Sequence, residues 1–306
     1  MTAFLARRVL RLVVVATGVS LVTFLILHAS GDPVALMMPD SPVAEREALR
    51  QALGLDDPIA VQLARFAADA VRGRFGDSLY HREPAMSLVL ARMPTTLTLA
   101  GLAMGIALLI AVPAGTFTAL RRGSSADHAV TVAVLLGQSM PVFWTGIMLI
   151  LLFGVTWRVL PVSGWATWSA VVLPALTLGA ALAPIQLRIV RSSMLEVIGL
   201  DYVRTARAKG LAERAVIWRH ALRNAALPVV TVIGLQFGFV LGGAVVIETV
   251  FAIPGVGRLI VSAIGQLDFP VVQASVFLLA MIVVTINFAV DVLYTWLDPV
   301  VRVRWR

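Results

Sequence analysis

The segment Asp201–Pro228, DYVRTARAKGLAERAVIWRHALRNAALP, is polar and basic and lies between long apolar runs. The chain on both sides reads as membrane, so a loop carrying Arg204, Arg207, Lys209, Arg214, Arg219 and Arg223 must face water. Cationic loops next to membrane spans are retained on the cytoplasmic side, so this one orients its neighbours. It is also longer and more patterned than a connection between two spans requires.

Composition fixes the class. The 306 residues are 59% hydrophobic and 14% charged, with mean hydropathy +0.91. A soluble domain of this size has no interior large enough for that apolar surface, so the chain is an all-α polytopic membrane protein. Its net charge of +8 points to topology and not to nucleic acid, because the arginines border apolar runs and form no aromatic-interleaved patch. Cysteine is absent, which excludes disulfides, thiolate nucleophiles and cysteine metal sites. Arg7, Arg8 and Arg11 ahead of Leu12–Leu27 resemble a secretory signal. The run is nearly long enough to span and is read as a retained first helix.

A helix crosses the hydrocarbon core in about 20 residues, which turns the apolar runs into six expected spans. They lie near Val9–Ala29, Thr95–Leu120, Ala129–Val155, Ala170–Val190, Val229–Phe251 and Val271–Leu297. The runs are continuously apolar, so they are helices and not barrel strands. An even count puts both termini on one side. That side collects Arg7, Arg8, Arg11, Arg121, Arg122, the Arg188–Arg223 region, Arg302, Arg304 and Arg306, and is read as cytoplasmic. Three parts are expected: residues 1–94, a first helix with an external segment; residues 95–298, a five-helix core with a cytoplasmic loop at 191–228; and a cytoplasmic tail, 299–306.

In the external part, Ser41–Leu53 is patterned as a short amphipathic helix ended by Gly54. Pro58 opens a second helix, Ile59–Val71, followed by turn residues at Gly73–Ser78. After the fifth span, Phe251–Gly257 reads as a turn before a short helix, Arg258–Ile264.

Catalytic signatures are missing. The one lysine, Lys209, is followed by Gly210, so the chain has no P-loop and no route to ATP hydrolysis through one. His28, His81, His128 and His220 form no ligand pair, and G-x-S-x-G is absent. Carboxylates within apolar runs are costly and become candidates for a transport pathway. Glu248 and Asp291 qualify, with Asn287 one turn before Asp291; helix packing is the alternative role for each. Gly234, Gly238, Gly242 and Gly243 suit close helix approach, and Pro113, Pro141, Pro174 and Pro184 permit kinks.

Within Asp201–Pro228 the pattern predicts two short helices broken at Gly210. Trp218 and Leu222 lie one turn apart, with Arg219 and Arg223 beside them. Such a helix suits docking into a groove on another protein or resting on anionic lipid headgroups.

Arg204-Thr205-Ala206 followed by Gly210 resembles the E-A-A-x-x-x-G signature of bacterial ABC-importer permeases. The dipeptide/oligopeptide/nickel branch of that family is resembled along the whole chain. The matching stretches are Gly31-Asp32-Pro33, Leu53-Gly54-Leu55-Asp56, Pro94-Thr95-Thr96-Leu97, Gly234-Leu235-Gln236, Gly242-Gly243, Glu248-Thr249-Val250-Phe251, Pro254-Gly255-Val256-Gly257, Asp268-Phe269-Pro270-Val271, Asp291-Val292-Leu293-Tyr294 and Asp298-Pro299. Arg204 and Thr205 stand at the signature's glutamate and first alanine, and Leu222-Arg223 where the wider family has leucine-proline.

The resemblance implies a type I ABC-importer permease fold in the bacterial inner membrane, with both termini cytoplasmic. It implies a second permease subunit, two ATPase subunits that carry ATP and Mg, and an external solute-binding protein, with no cofactor bound by this chain. Residues Arg204, Thr205, Ala206, Gly210, Leu211, Trp218 and Leu222 would dock on the ATPase. The substrate would be a di- or oligopeptide, or a nickel chelate or glutathione-like solute. A self-sufficient ion-gradient transporter or channel is the alternative; it requires charge networks or inverted repeats, which the sequence does not display.

Overall fold

The computed structural model describes residues 2–29, 34, 42–52 and 54–297. Its elements are α1 (Thr2–Ala29), α2 (Val43–Ala52), α3 (Ile59–Val71), α4 (Ala85–Leu120), α5 (Ser125–Ser139), α6 (Val142–Leu149, prolonged by a wide π-helical stretch Ile150–Thr156), α7 (Trp168–Ile198), α8 (Asp201–Ala208), α9 (Glu213–Val250), α10 (Val256–Gly265) and α11 (Phe269–Leu297). Among the described residues there is no strand, only an isolated bridge between Asp77 and Pro84.

Four of these helices are long and apolar enough to cross a membrane uninterrupted: α4, α7, α9 and α11. The third expected span is not a straight crossing. It is two helices, α5 and α6, bent by 100°. Pro141 has no N–H to continue the ladder and forces Met140 into an extended conformation (φ −84°, ψ 131°). The first expected span lies in α1, whose described apolar stretch is Val13–Leu25. The expected tail at 299–306 lies outside the described residues.

The chain forms two compact units, Met1–Pro94 with Gly255–Val284, and Thr95–Pro254 with Thr285–Arg306. The first is built on Phe75, Val89, Met93, Leu259 and Val271, with a run of ring contacts Phe24–Phe66–Phe75–Phe277. Its turn after α3 is closed by Gly73 and Gly76 at φ +69° and +83°. That turn is pinned by Asp268, which is 1% exposed and accepts from the Ser78 hydroxyl (2.5 Å) and the Leu79 N–H (3.3 Å). Ser78 Oγ in turn accepts from the His81 N–H. Asp268→Ala strips a buried hydroxyl of its acceptor, at a cost of about 1–3 kcal/mol. Limited trypsin digestion at the exposed Arg82 is expected to accelerate, while Asp268→Asn stays close to the parent.

In the second unit α7 is the central helix, with 72% of its apolar window buried against 33% or less in the other spans. It packs against α9, α6 and α5. Two glycines set its approach to α4. A Cβ on Gly179 would lie 2.8 Å from the Ala103 carbonyl oxygen and from Ile106 Cγ2, and one on Gly115 would lie 2.9 Å from the Leu187 carbonyl oxygen. Small residues at both levels let the backbones touch, which is how helices associate where burial from water offers no drive.

Candidate functional site

The Asp201–Pro228 segment is the best-defined candidate. Its first helix, α8, ends at Ala208, and Gly210 turns the chain at φ +75°. Around that turn Arg207 and Glu213 form a two-bond ion pair, Nη2 to Oε1 at 2.7 Å and Nε to Oε2 at 3.1 Å. Glu213 opens α9, ahead of its apolar run. Its hydrogen bond to Arg207 holds its carboxyl below the ordinary carboxylate range, against a smaller upward push from desolvation; the Arg207 guanidinium is raised in return. A depressed carboxyl contributes above its unfolded value, and the contribution is lost as pH falls through the lower folded value. The clamp is therefore intact at neutral pH. Both partners are partly exposed, so it is worth at most about 1 kcal/mol. It shapes the turn more than it stabilises the fold.

After the turn the chain does not form a second separate helix. It enters α9 at Glu213, passes through one wide π-helical turn at Val216–Ala221, and continues into the span without interruption. The Tyr202 hydroxyl ties α8 to this helix, accepting from Asn224 Nδ2 at 2.7 Å. Beneath lies an apolar base of Val203 and Ala206 from α8, Val216, Ile217, Ala221 and Ala225 from α9, and Val190, Met194 and Val197 from α7.

That base divides the residues singled out by sequence. Arg204, Thr205 and Gly210 are exposed, as are Leu211 (42%) and Trp218 (49%). Ala206 is 6% exposed and helps form the base, and Leu222 packs against it. Trp218 and Leu222 are therefore not one presenting edge. The wide turn between them shifts the phase, leaving Trp218 outward and Leu222 inward.

The candidate pathway groups are placed differently. Glu248 is fully buried and accepts from Thr96 Oγ1 at 2.6 Å. Asn287 is half-buried on α11; the side chain of Asp291 lies outside the described residues. Sequence reasoning missed two polar ties. Asp127 is held by a two-bond pair from Arg191 (2.8 and 3.1 Å) and by the Gly123 N–H, joining the α4–α5 turn to α7. Ser124, three residues before Asp127, was the available signal, as an N-cap with an acidic residue in the first turn. Gln186 on α7 donates to Gln236 on α9, both buried. Two amides inside apolar runs were the signal there.

The fold is that of the permeases of ABC importers. Two inward-facing crystal forms of the MetNI methionine ABC transporter match with TM-scores of 0.58 and 0.55, at 20% and 22% identity, each over 70% of this chain and 97% of the other. The family models agree with the fold. The one described as binding-protein-dependent transport system inner membrane component matches residues 111–303, and its N-terminal companion matches residues 1–100. The chain belongs to that family. Among its relatives is the glutathione transport system permease protein GsiC of Escherichia coli K12, 40% identical over 99% of this chain and 100% of its own. The dipeptide transport system permease protein DppB of the same strain is also 40% identical, over 99% of each chain.

Proposed function

We propose that this chain supplies half of the translocation pathway of an ATP-driven, binding-protein-dependent importer of small peptides, glutathione-like compounds included. A second permease subunit supplies the other half. Two cytoplasmic ATPase subunits carry ATP and Mg, and an external solute-binding protein delivers the substrate. Both termini are cytoplasmic, consistent with the arginine-rich loops at Arg121–Arg122 and Asp201–Pro228.

The observation that carries this reading is the Gly210 turn. It presents Arg204, Thr205 and Leu211 to water on a segment that continues as one helix into a membrane span. Closure of the ATPase pair on ATP would push on that turn. The push passes through α9, and through the base shared with α7, to re-orient the spans. Selectivity for peptides would rest mainly on the binding protein. The relatives' names, glutathione and dipeptide permease, support this substrate class.

The test is reconstitution. Purified with its cognate partner permease, the chain is expected to retain ATPase subunits and to take up dipeptide or glutathione only with ATP, binding protein and ATPase subunits all present. Uptake at full rate without ATPase subunits would overturn the proposal.

A further inference from the structure

The C-terminal half of α4, the start of α5 and the first turns of α9 enclose a groove of about 710 Å³. Its walls are Ile110, Phe117, Leu120, Val130, Ile217 and Trp218. From Ile110 to Leu120 the helix rises about 15 Å, half of a hydrocarbon core about 30 Å thick. The groove thus has the depth of one leaflet, and the cationic loops make it the cytoplasmic one.

Its mouth is charged. Arg121 follows Leu120 and lies over the Phe117 ring, its guanidinium carbon 4.7 Å from the centroid. Arg214 also lines the groove, and the acid beside it, Glu213, is engaged by Arg207. Among the described residues neither Arg121 nor Arg214 forms an ion pair.

We propose that the groove binds an anionic phospholipid of the cytoplasmic leaflet, one acyl chain between α4 and α9 and the phosphate held by Arg121 and Arg214. Hydrocarbon walls require a hydrocarbon, and unpaired cations at the mouth require an anion; a phospholipid joins the two at this depth. Trp218 sits where an aromatic ring meets the headgroup level. The inference rests on the cytoplasmic orientation of the Asp201–Pro228 segment. It ties the state of that segment to the lipid beside it.

The test uses the whole transporter, with partner permease and ATPase subunits, in nanodiscs of phosphatidylcholine with or without phosphatidylglycerol. Either lipid carries brominated acyl chains, and Trp218 quenching is read as the difference from Trp218→Phe. Quenching by brominated phosphatidylglycerol is expected to exceed that by brominated phosphatidylcholine, the apparent preference falling about fivefold for each arginine removed in Arg121→Gln and Arg214→Gln. Ala114→Phe, which fills the groove, is expected to abolish it. The arginine variants decide alone if Ala114→Phe does not fold.

Equal quenching by the two lipids, or a preference that survives both arginine substitutions, would overturn the inference. So would release of ATPase subunits by Ala114→Phe with quenching intact, which would make the groove a protein seat. Retention of ATPase subunits, measured on the same preparations, separates this failure from that of the importer reading.

Discussion

Gly179→Val is expected to remove most of the folded protein from the membrane. A Cβ at this position meets a backbone carbonyl, that of Ala103, at 2.8 Å, and Ile106 at the same distance. Side chains can turn aside, but a carbonyl inside a transmembrane helix cannot without breaking its own hydrogen bond. Overpacking of this kind costs about 1–3 kcal/mol, and a β-branched residue adds further atoms at the same point. Since one or two kcal/mol already shifts a folded population five- to thirtyfold, Gly179→Val should reduce the monodisperse fraction on size exclusion to a small remainder. Gly101→Ala is the control. It lies on α4 with nothing within 4 Å of the added carbon, and helix propensity favours alanine there by about 0.8–1 kcal/mol. Equal loss in both variants would show that close approach of α4 and α7 is not what Gly179 provides.

Gly210→Val should act on coupling and leave folding largely intact. Nothing lies within 4 Å of a Cβ at this position, so bulk is tolerated and only the backbone objects. A non-glycine residue at φ +75° costs about 1–2 kcal/mol, and relief of that strain pulls Arg207 away from Glu213. The expected result is a drop in substrate uptake on the order of tenfold, with ATP hydrolysis by the assembled complex maintained. Asparagine, comparable in bulk to valine but at ease in the left-handed region, should restore uptake at this position. If Gly210→Asn fails as badly as Gly210→Val, the left-handed turn is not the operative feature.

Much of the architecture was legible because membrane spans announce themselves by length. The expected helix Ile59–Val71 has its observed bounds, and α7 and α11 agree within a few residues to about two turns, while α9 begins well before the expected Val229, at Glu213. The path of the third span is not legible in the sequence because hydropathy carries no direction: Pro141 permits a kink, but a 100° bend depends on what packs around it. The Gly210 break was visible because a left-handed turn favours one residue type. The sorting of Ala206 and Leu222 inward and Trp218 outward was not, since it depends on a wide turn that no residue pattern encodes. Asp268 and Glu248 stood out in the sequence as parts of longer motifs. Their partners, Ser78 and Thr96, are 190 and 152 residues away, beyond the reach of any local reading.

The wide turn at Val216–Ala221 behaves as one residue inserted into an otherwise regular helix. Each residue of an α-helix advances the chain by about 100°. A homologue lacking one residue here would keep Leu222–Val250 seated against α7 and yet point Trp218 a quarter-turn or more around the axis. The angular setting between Trp218 and the membrane span is therefore adjustable by a single-codon deletion. Permeases that differ by one residue at this point would address differently placed partners with the same transmembrane core.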